Sequence, residues 1–272
     1  MKISASIVLY NNPPEQVQAA IQSCLASSLV GLIYLIDNSE KDELAYLANH
    51  SRVQYRHNEQ NMGFGAAHNQ AISSMAGQSD VHLVLNPDIS FQSGVLETLF
   101  AFMDAHPDVG LLMPKVYYQN GHIQRLCKLL PTPFDLFGRR FAGSNKWVQQ
   151  RNRNYELANF SYNQVADIPN LSGCFMFIRN KILQQVGLFD ERFFLYLEDV
   201  DLVRRIGRVA RTVYYPYVHI IHGYQQGSYR NSTHLKYHIQ SAIQYFNKWG
   251  WFFDQERVER NRHTLNNLLG KS

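Results

Sequence analysis

The sequence predicts an α/β protein: a mostly parallel central sheet flanked by helices, with a helical region at the C-terminus. Three observations carry that prediction. Over the first 115 residues, short apolar, β-branched runs alternate with segments of helical period. The runs are apolar along their whole length, as strands covered on both faces must be. Clusters of Asn, Pro and Gly punctuate the transitions between them.

The elements follow in order. "ISASIVLY" reads as the first strand, and "PPEQVQAAIQSCLASS" as a helix entered through proline, whose fixed φ suits a first turn. "GLIYLIDN" is a second strand, followed by a short helix around residues 40–49. "RVQYRHN" is the third strand and "GFGAAHNQAISSMA" the helix after it. "VHLVLN", "SGVLETLFAFMDAH" and "VGLLMP" continue as strand, helix and strand. From 117 to 168 the period fails, and prolines, aromatics and basic residues mix in a long insertion of the functional or mobile kind. Order returns with the strand "SGCFMFIRN", then "KILQQVGLFDERF" and an acidic segment at 198–201. The strand "TVYYPYVHIIH" and the helical, aromatic "HLKYHIQSAIQYFNKWGWFF" complete the chain.

With 272 residues, 45% of them hydrophobic and 18% charged, the chain can bury a full-sized core. The net charge of +4 suits an anionic ligand or a membrane surface, and no Lys/Arg block marks a nucleic-acid partner. Cys24, Cys127 and Cys174 are isolated and odd in number, so neither a zinc site nor a disulfide framework is expected. A reducing, cytoplasmic setting is the simpler reading. The apolar run in "MKISASIVLYNN" is too short for a signal peptide, and no stretch reaches the ~20 apolar residues of a membrane span.

Right-handed crossovers bring the carboxyl ends of parallel strands to one edge. There the sequence places Tyr10-Asn11, Asp37-Asn38, Asn58 to Asn61 and Asn86 to Asp88. Asn86-Pro87-Asp88 is either an ordinary turn or a carboxylate held where α/β sheets take ligands. In "EDVDLVRRI", helical spacing puts Asp199 on the stripe of Leu202, Val203 and Ile206, and Asp201 on that of Arg204, Arg205 and Arg208. Asp199 then faces the protein body at a helix start, where the dipole favours its ionised form. It is a general-base candidate or a first-turn capping residue. Asp201 reads as half of a surface ion pair, worth little. His222 stands where its strand opens into a loop, either as a structural hydrogen-bonder or, with Asp88, as part of a site for Mg2+ or Mn2+. Gly63 and Gly65 follow the third strand, with His68 in the place of a third glycine, which argues against a dinucleotide fingerprint. They open a helix whose N-terminus can face an anion.

Taken together, "SIVLYNN", "LIDNS", "NMGFGAAHNQAI", "LVLNPDI", "SGCFMFIRNKILQQVGLFDERFFLYLEDVDLVRRI" and "HIIHGYQQGS" resemble family 2 glycosyltransferases of the GT-A fold. Within them the set is most similar to bacterial rhamnosyltransferases of surface-polysaccharide synthesis, over roughly residues 3 to 250. The resemblance implies that Tyr10 and Asn11 line the base and ribose of a nucleotide-sugar donor and that Asp37 binds the pyrimidine N–H. Asn61, Gly63, Gly65 and Asn69 match the segment that shapes the nucleotide and diphosphate pocket. Asn86-Pro87-Asp88 stands at the family's D-x-D metal motif with Asn first, so Asp88 becomes the main carboxylate on Mg2+ or Mn2+, completed by His222. Asp199 takes the place of the catalytic base, with Glu198 nearby for acceptor contact. The implied division is a catalytic domain at 1–230, with a nucleotide-binding half (1–115) and an acceptor half (116–230), and a helical extension at 231–272.

The reaction so implied is an inverting transfer of L-rhamnose from dTDP-L-rhamnose to a lipid-linked glycan of O-antigen or capsule. Two alternatives stay open: a UDP-hexose or UDP-galactofuranose donor, and a non-catalytic nucleotide- or glycan-binding relative. Asp88, Asp199 and His222 together argue against the last. The insertion 126–163 and "YFNKWGWFF" offer either acceptor and inner-membrane surface contact or plain packing.

Overall fold

The computed structural model describes residues 2–138, 146–223 and 232–269. Parts of the quoted insertion and of "HIIHGYQQGS" therefore lie outside the described residues. The elements run β1 (Ile3–Leu9), α1 (Pro14–Leu25), β2 (Val30–Asp37), β3 (Val53–His57), α2 (Phe64–Ser74), β4 (Val81–Leu85), β5 (Ile89–Ser90), α3 (Val95–Ala105) and β6 (Val109–Tyr118). They continue with α4 (Pro133–Leu136), α5 (Lys146–Tyr155), β7 (Ala166–Asp167), β8 (Phe175–Arg179), α6 (Asn180–Val186), α7 (Glu198–Ile206), β9 (Arg211–His222), α8 (Ser232–Trp249) and α9 (Gln255–Leu269).

Among the described residues the strands form one sheet in the order β3-β2-β1-β4-β8-β6-β9-β5, with β7 on β9. β1 to β4 are parallel neighbours, and β6 and β9 run alongside each other in parallel. β8 is inserted antiparallel between β4 and β6. Its direction follows from where the chain travels. β6 ends at the carboxyl edge, the insertion stays over that edge, and β8 re-enters there with Phe175 opposite Leu85.

Burial on both faces explains the continuous apolar strands. In β4, Val81, Leu83 and Leu85 join one core with α1 and α3, while Val84 faces the other. Phe175 and Phe177 of β8 share the first core, and Met176 and Ile178 meet α6 and α7 in the second. A third cluster joins the loop before α7 to α8 through Phe193, Leu197, Val200, Ala242, Tyr245 and Phe246.

The structure departs from expectation in four places. The segment at 40–49 holds only one 3-10 turn, Ala45–Leu47, and β6 extends to Tyr118. The insertion contains α4, opened by a Thr132–Asp135 capping box, and α5. Asp201 is not on a solvated face: it is fully buried, receiving Arg205 Nε at 2.9 Å, Trp249 Nε1 at 2.8 Å and Lys248 Nζ at 2.7 Å. Arg204, 1% exposed, lies over the Trp249 ring and forks onto Asp254 at 2.8 and 2.6 Å. Helical spacing grouped these residues correctly, but α8 and α9 cover the face they share.

Candidate active site

The four polar clusters do gather on one rim, and hydrogen bonds stitch the first three of them together. Ser39 is the knot: its Oγ accepts Asn11 N–H at 2.8 Å, its own N–H donates to Asp37 Oδ1 at 2.8 Å, and its carbonyl meets His57 Nε2 at 2.8 Å. Asn58 donates to Asn38 Oδ1 at 2.8 Å, and Asn38 Nδ2 donates to the Gly63 carbonyl at 3.1 Å. Asn11 adopts a left-handed φ of 52°, which turns the chain off β1, and Tyr10 stands half exposed beside it. Asp37 has no exposed surface, and its Oδ2 accepts the Tyr55 hydroxyl at 2.9 Å. In this state the Asp37 carboxylate braces the rim from beneath.

The glycine segment shapes the pocket by holding a distant loop. Gly63 has φ +82°, and a Cβ there would collide with the Phe194 carbonyl oxygen. A Cβ on Gly65 would stand 2.8 Å from Phe189 Cβ. Asn61 Oδ1 accepts Gly63 N–H at 2.9 Å. Asn69 departs from expectation: it is buried, its Nδ2 donates to the Phe189 carbonyl and to Glu191 Oε1, both at 2.9 Å, and its Oδ1 accepts Phe189 N–H at 3.0 Å. Both of its N–H donors and one acceptor position fasten the loop before α7.

Asp88 and His222 do meet. Ile89 pairs with His222 across β5 and β9, which brings Asp88 Oδ1 to 3.3 Å from His222 Nε2. Asn86 Nδ2 lies 3.5 Å from the same nitrogen. Sequence reasoning missed Gln124, which grips His222 twice. Its Nε2 donates to the His222 carbonyl at 3.2 Å, so its Oε1, 2.9 Å from Nδ1, must accept the Nδ1 proton. That leaves Nε2 as the ring nitrogen turned toward the Asp88 carboxylate, the pair of atoms that would hold a cation. Two ligands on one ion at about 2.1 Å would stand ~3 Å apart, so the pair fits a divalent metal. Among the described residues no group of three His, Cys, Asp or Glu side chains could hold one, so the other ligands would come from outside the chain's acidic and imidazole groups.

Asp199 is half-buried at the start of α7, facing inward as its stripe requires. Its Oδ2 accepts Gly173 N–H and its Oδ1 accepts Val200 N–H, both at 2.8 Å. Burial outweighs these bonds and raises its carboxyl above the usual range, against the expectation that the helix dipole would dominate. One short segment joins this base candidate to the metal end. Gly173 holds Asp199, and the next residue's carbonyl, that of Cys174, accepts Asn86 N–H at 2.9 Å. Burial pushes the Cys174 thiol up to about 12, with both Asp88 and Asp199 adding to the effect. Glu198, beside Asp199 in sequence, is 4% exposed, its Oε2 has no partner among the described residues, and burial followed by the Asp199 charge raises its carboxyl well above normal. A cavity of about 370 Å³, lined by Lys2, Asp80, Phe100 and Arg179 among others, lies at the opposite edge of the sheet and shares none of these residues.

Residues 4–187, well over half of the chain, match the model of "Glycosyl transferase family 2". An N-acetylglucosaminyl-diphospho-decaprenol L-rhamnosyltransferase of Mycobacterium tuberculosis is 27% identical over 259 residues, covering 86% of this chain and 80% of the relative. The low-salt glycan biosynthesis hexosyltransferase Agl10 of Haloferax volcanii is 22% identical over 205 residues, covering 75% of this chain and 61% of the relative. Among solved structures, GalNAc-T7 with UDP, GalNAc and Mn2+ superposes with a TM-score of 0.64 at 15% identity, covering 89% of this chain and 48% of that one. S. aureus TarS 1-349 gives a TM-score of 0.60 at 16% identity, covering 100% of this chain and 73% of that one. The chain spans about half the length of the first of these structures. The fold is GT-A, and the chain is a glycosyltransferase that belongs to glycosyl transferase family 2.

Proposed function

We propose that the chain is an inverting glycosyltransferase that moves L-rhamnose from dTDP-L-rhamnose to a lipid-linked glycan acceptor at the inner face of the cell membrane. One observation supports the chemistry above all. Asn86, two residues before Asp88, and the Asp199 carboxylate are bonded to consecutive positions of a single segment, Cys174 and Gly173, and Asp88 meets His222. Similarity to a rhamnosyltransferase over most of the chain supports the sugar.

Asp88 Oδ1 and His222 Nε2 would hold Mg2+ or Mn2+, and the bound ion would supply positive charge against the donor diphosphate. Tyr10, Asn11 and the Ser39-knotted rim receive the nucleotide, with Asn61 and Asn86 toward the diphosphate. Asp199 keeps a lone pair on each oxygen after its two backbone bonds, so it can accept an acceptor hydroxyl. As that oxygen attacks the anomeric carbon, the hydroxyl proton passes to Asp199. The bond from the anomeric carbon to the diphosphate breaks, the nucleoside diphosphate leaves with the bonding pair, and the configuration inverts. Phe252 and Phe253, 78% and 99% exposed after α8, are the side chains offered to a membrane surface.

The test uses Asp199→Asn with dTDP-L-rhamnose and N-acetylglucosaminyl-diphospho-decaprenol. Transfer should fall by at least ~10²-fold, while dTDP with Mn2+ still raises the melting temperature. Stronger stabilisation by UDP than by dTDP would move the donor to a UDP-hexose or UDP-galactofuranose. A folded wild type that no nucleotide stabilises would sink the reading.

A further inference from the structure

Tyr196 and Leu197 hold successive left-handed conformations, φ 72° and 66°, immediately before Glu198 and Asp199. Side-chain-bearing residues persist there only when their surroundings over-determine them, and such strain collects at working sites. The start of α7 does not anchor itself, because its N-cap, Leu197, offers no side-chain cap. What fixes the turn comes from elsewhere. Tyr196 Oη shares a hydrogen bond of 2.8 Å with His234 Nδ1, and Ser241 Oγ donates to the Leu195 carbonyl at 2.8 Å. Both partners lie on α8. On the other side, Phe64 N–H reaches the Phe194 carbonyl at 3.0 Å.

Packing accounts for Leu197, which is buried in the third core cluster. It does not account for the phenol oxygen of Tyr196, since a phenylalanine would fill the same ring volume. That hydroxyl pins the first of the two left-handed residues at the far end of its side chain. Turning Tyr196 would swing Leu197, and Asp199 with it, away from Gly173.

We propose that Tyr196 and His234 are positioning residues, their hydrogen bond locking the left-handed turn that aims Asp199 at the acceptor hydroxyl. The proposal rests on Asp199 being the base, so Asp199→Asn is assayed beside Tyr196→Phe, His234→Ala, His234→Gln and the Tyr196→Phe/His234→Ala double variant in the full chain. Misplacing a reacting group by 1 Å costs about 10²-fold. The expected result is therefore a kcat loss of ~10- to 100-fold in Tyr196→Phe and His234→Ala, with donor KM and the dTDP-induced thermal shift unchanged. His234→Gln, whose Oε1 can accept the Tyr196 hydroxyl, should recover most of kcat, and the double variant should be no worse than either single. Wild-type kcat in Tyr196→Phe, no rescue by His234→Gln, or a kcat loss matched by weaker donor binding and lower melting temperature would each overturn the lock. Asp199→Asn that still transfers would overturn the base assignment itself. Asp199→Asn dead beside a fully active Tyr196→Phe would remove the lock alone.

Discussion

Replacing Gly173 by Ala gives a test that the structure sizes in advance. A Cβ built at Gly173 would stand 2.9 Å from Asp199 Cβ and 3.2 Å from its Oδ2. Carbon atoms rest comfortably at about 3.5–4.0 Å, so Asp199 must retreat by ~0.5–1 Å. The backbone needs no left-handed φ at this position, so alanine adds bulk without backbone strain. The donor N–H survives, so any loss comes from moving Asp199 and stretching that bond, not from deleting a donor. At about 10²-fold per ångström of misplacement, kcat should drop ~10- to 100-fold. Overpacking should cost about 1–3 kcal/mol of stability at most. The assay is rhamnosyl transfer at saturating dTDP-L-rhamnose, beside a dTDP and Mn2+ melting shift. A kcat within twofold of wild type, in protein of normal melting temperature, would show that Asp199 need not sit where Gly173 holds it.

Two further outcomes follow from other side chains. Gln124→Leu keeps the bulk near His222 but removes the acceptor of its Nδ1 proton, so apparent Mn2+ affinity in the transfer assay should fall ~10- to 100-fold, as loss of a ligand's hydrogen-bond partner typically does; an unchanged metal titration would refute the role given to Gln124. Glu198 has its folded-state carboxyl raised by burial and then by Asp199, so the folded protein keeps a proton that the unfolded chain has already released. Its favourable contribution is complete below the unfolded value of about 4.3 and fades as pH rises through the folded one. Glu198→Gln should therefore raise the melting temperature at pH 8 relative to wild type and make little difference at pH 4, and an equal difference at both would contradict the buried neutral carboxyl.

Much of this was legible in the sequence, for reasons that particular residues make plain. Strands buried on both faces wrote continuous apolar runs, and β9 near its end alternates with period two, burying Ile220 and His222 and exposing His219 and Ile221. Asp199 could be separated from Asp201 because their helical stripes differ. The fate of Asp201 could not be read, because spacing groups residues on a face without saying what covers it. The burial of Glu198 was equally unreadable, because its place in the first turn of α7 does not say what packs over it. Gln124, Ser39 and Tyr55 left no local signal. Each serves a partner on another strand, in the case of Gln124 and His222 98 residues away.

The matched family segment ends at residue 187, before both Asp199 and His222. On the proposed roles, the donor side and the base side come from different stretches of chain, and the site exists only where they are joined. Four joints are visible: Phe64 to Phe194, Asn69 to Phe189 and Glu191, Gly173 to Asp199, and Asp88 to His222. At the first three the chain places glycine at or beside the contact. A Cβ would strike the Phe194 carbonyl from Gly63, Phe189 Cβ at 2.8 Å from Gly65, and Asp199 Cβ at 2.9 Å from Gly173. Only Gly63 also needs glycine for its backbone angle; Gly65 and Gly173 need it for distance. The glycines thus bring the two halves of the site within hydrogen-bonding reach. Their spacing after the third strand, which first distinguished this chain from a dinucleotide-binding protein, reflects that seam as much as any contact with phosphate.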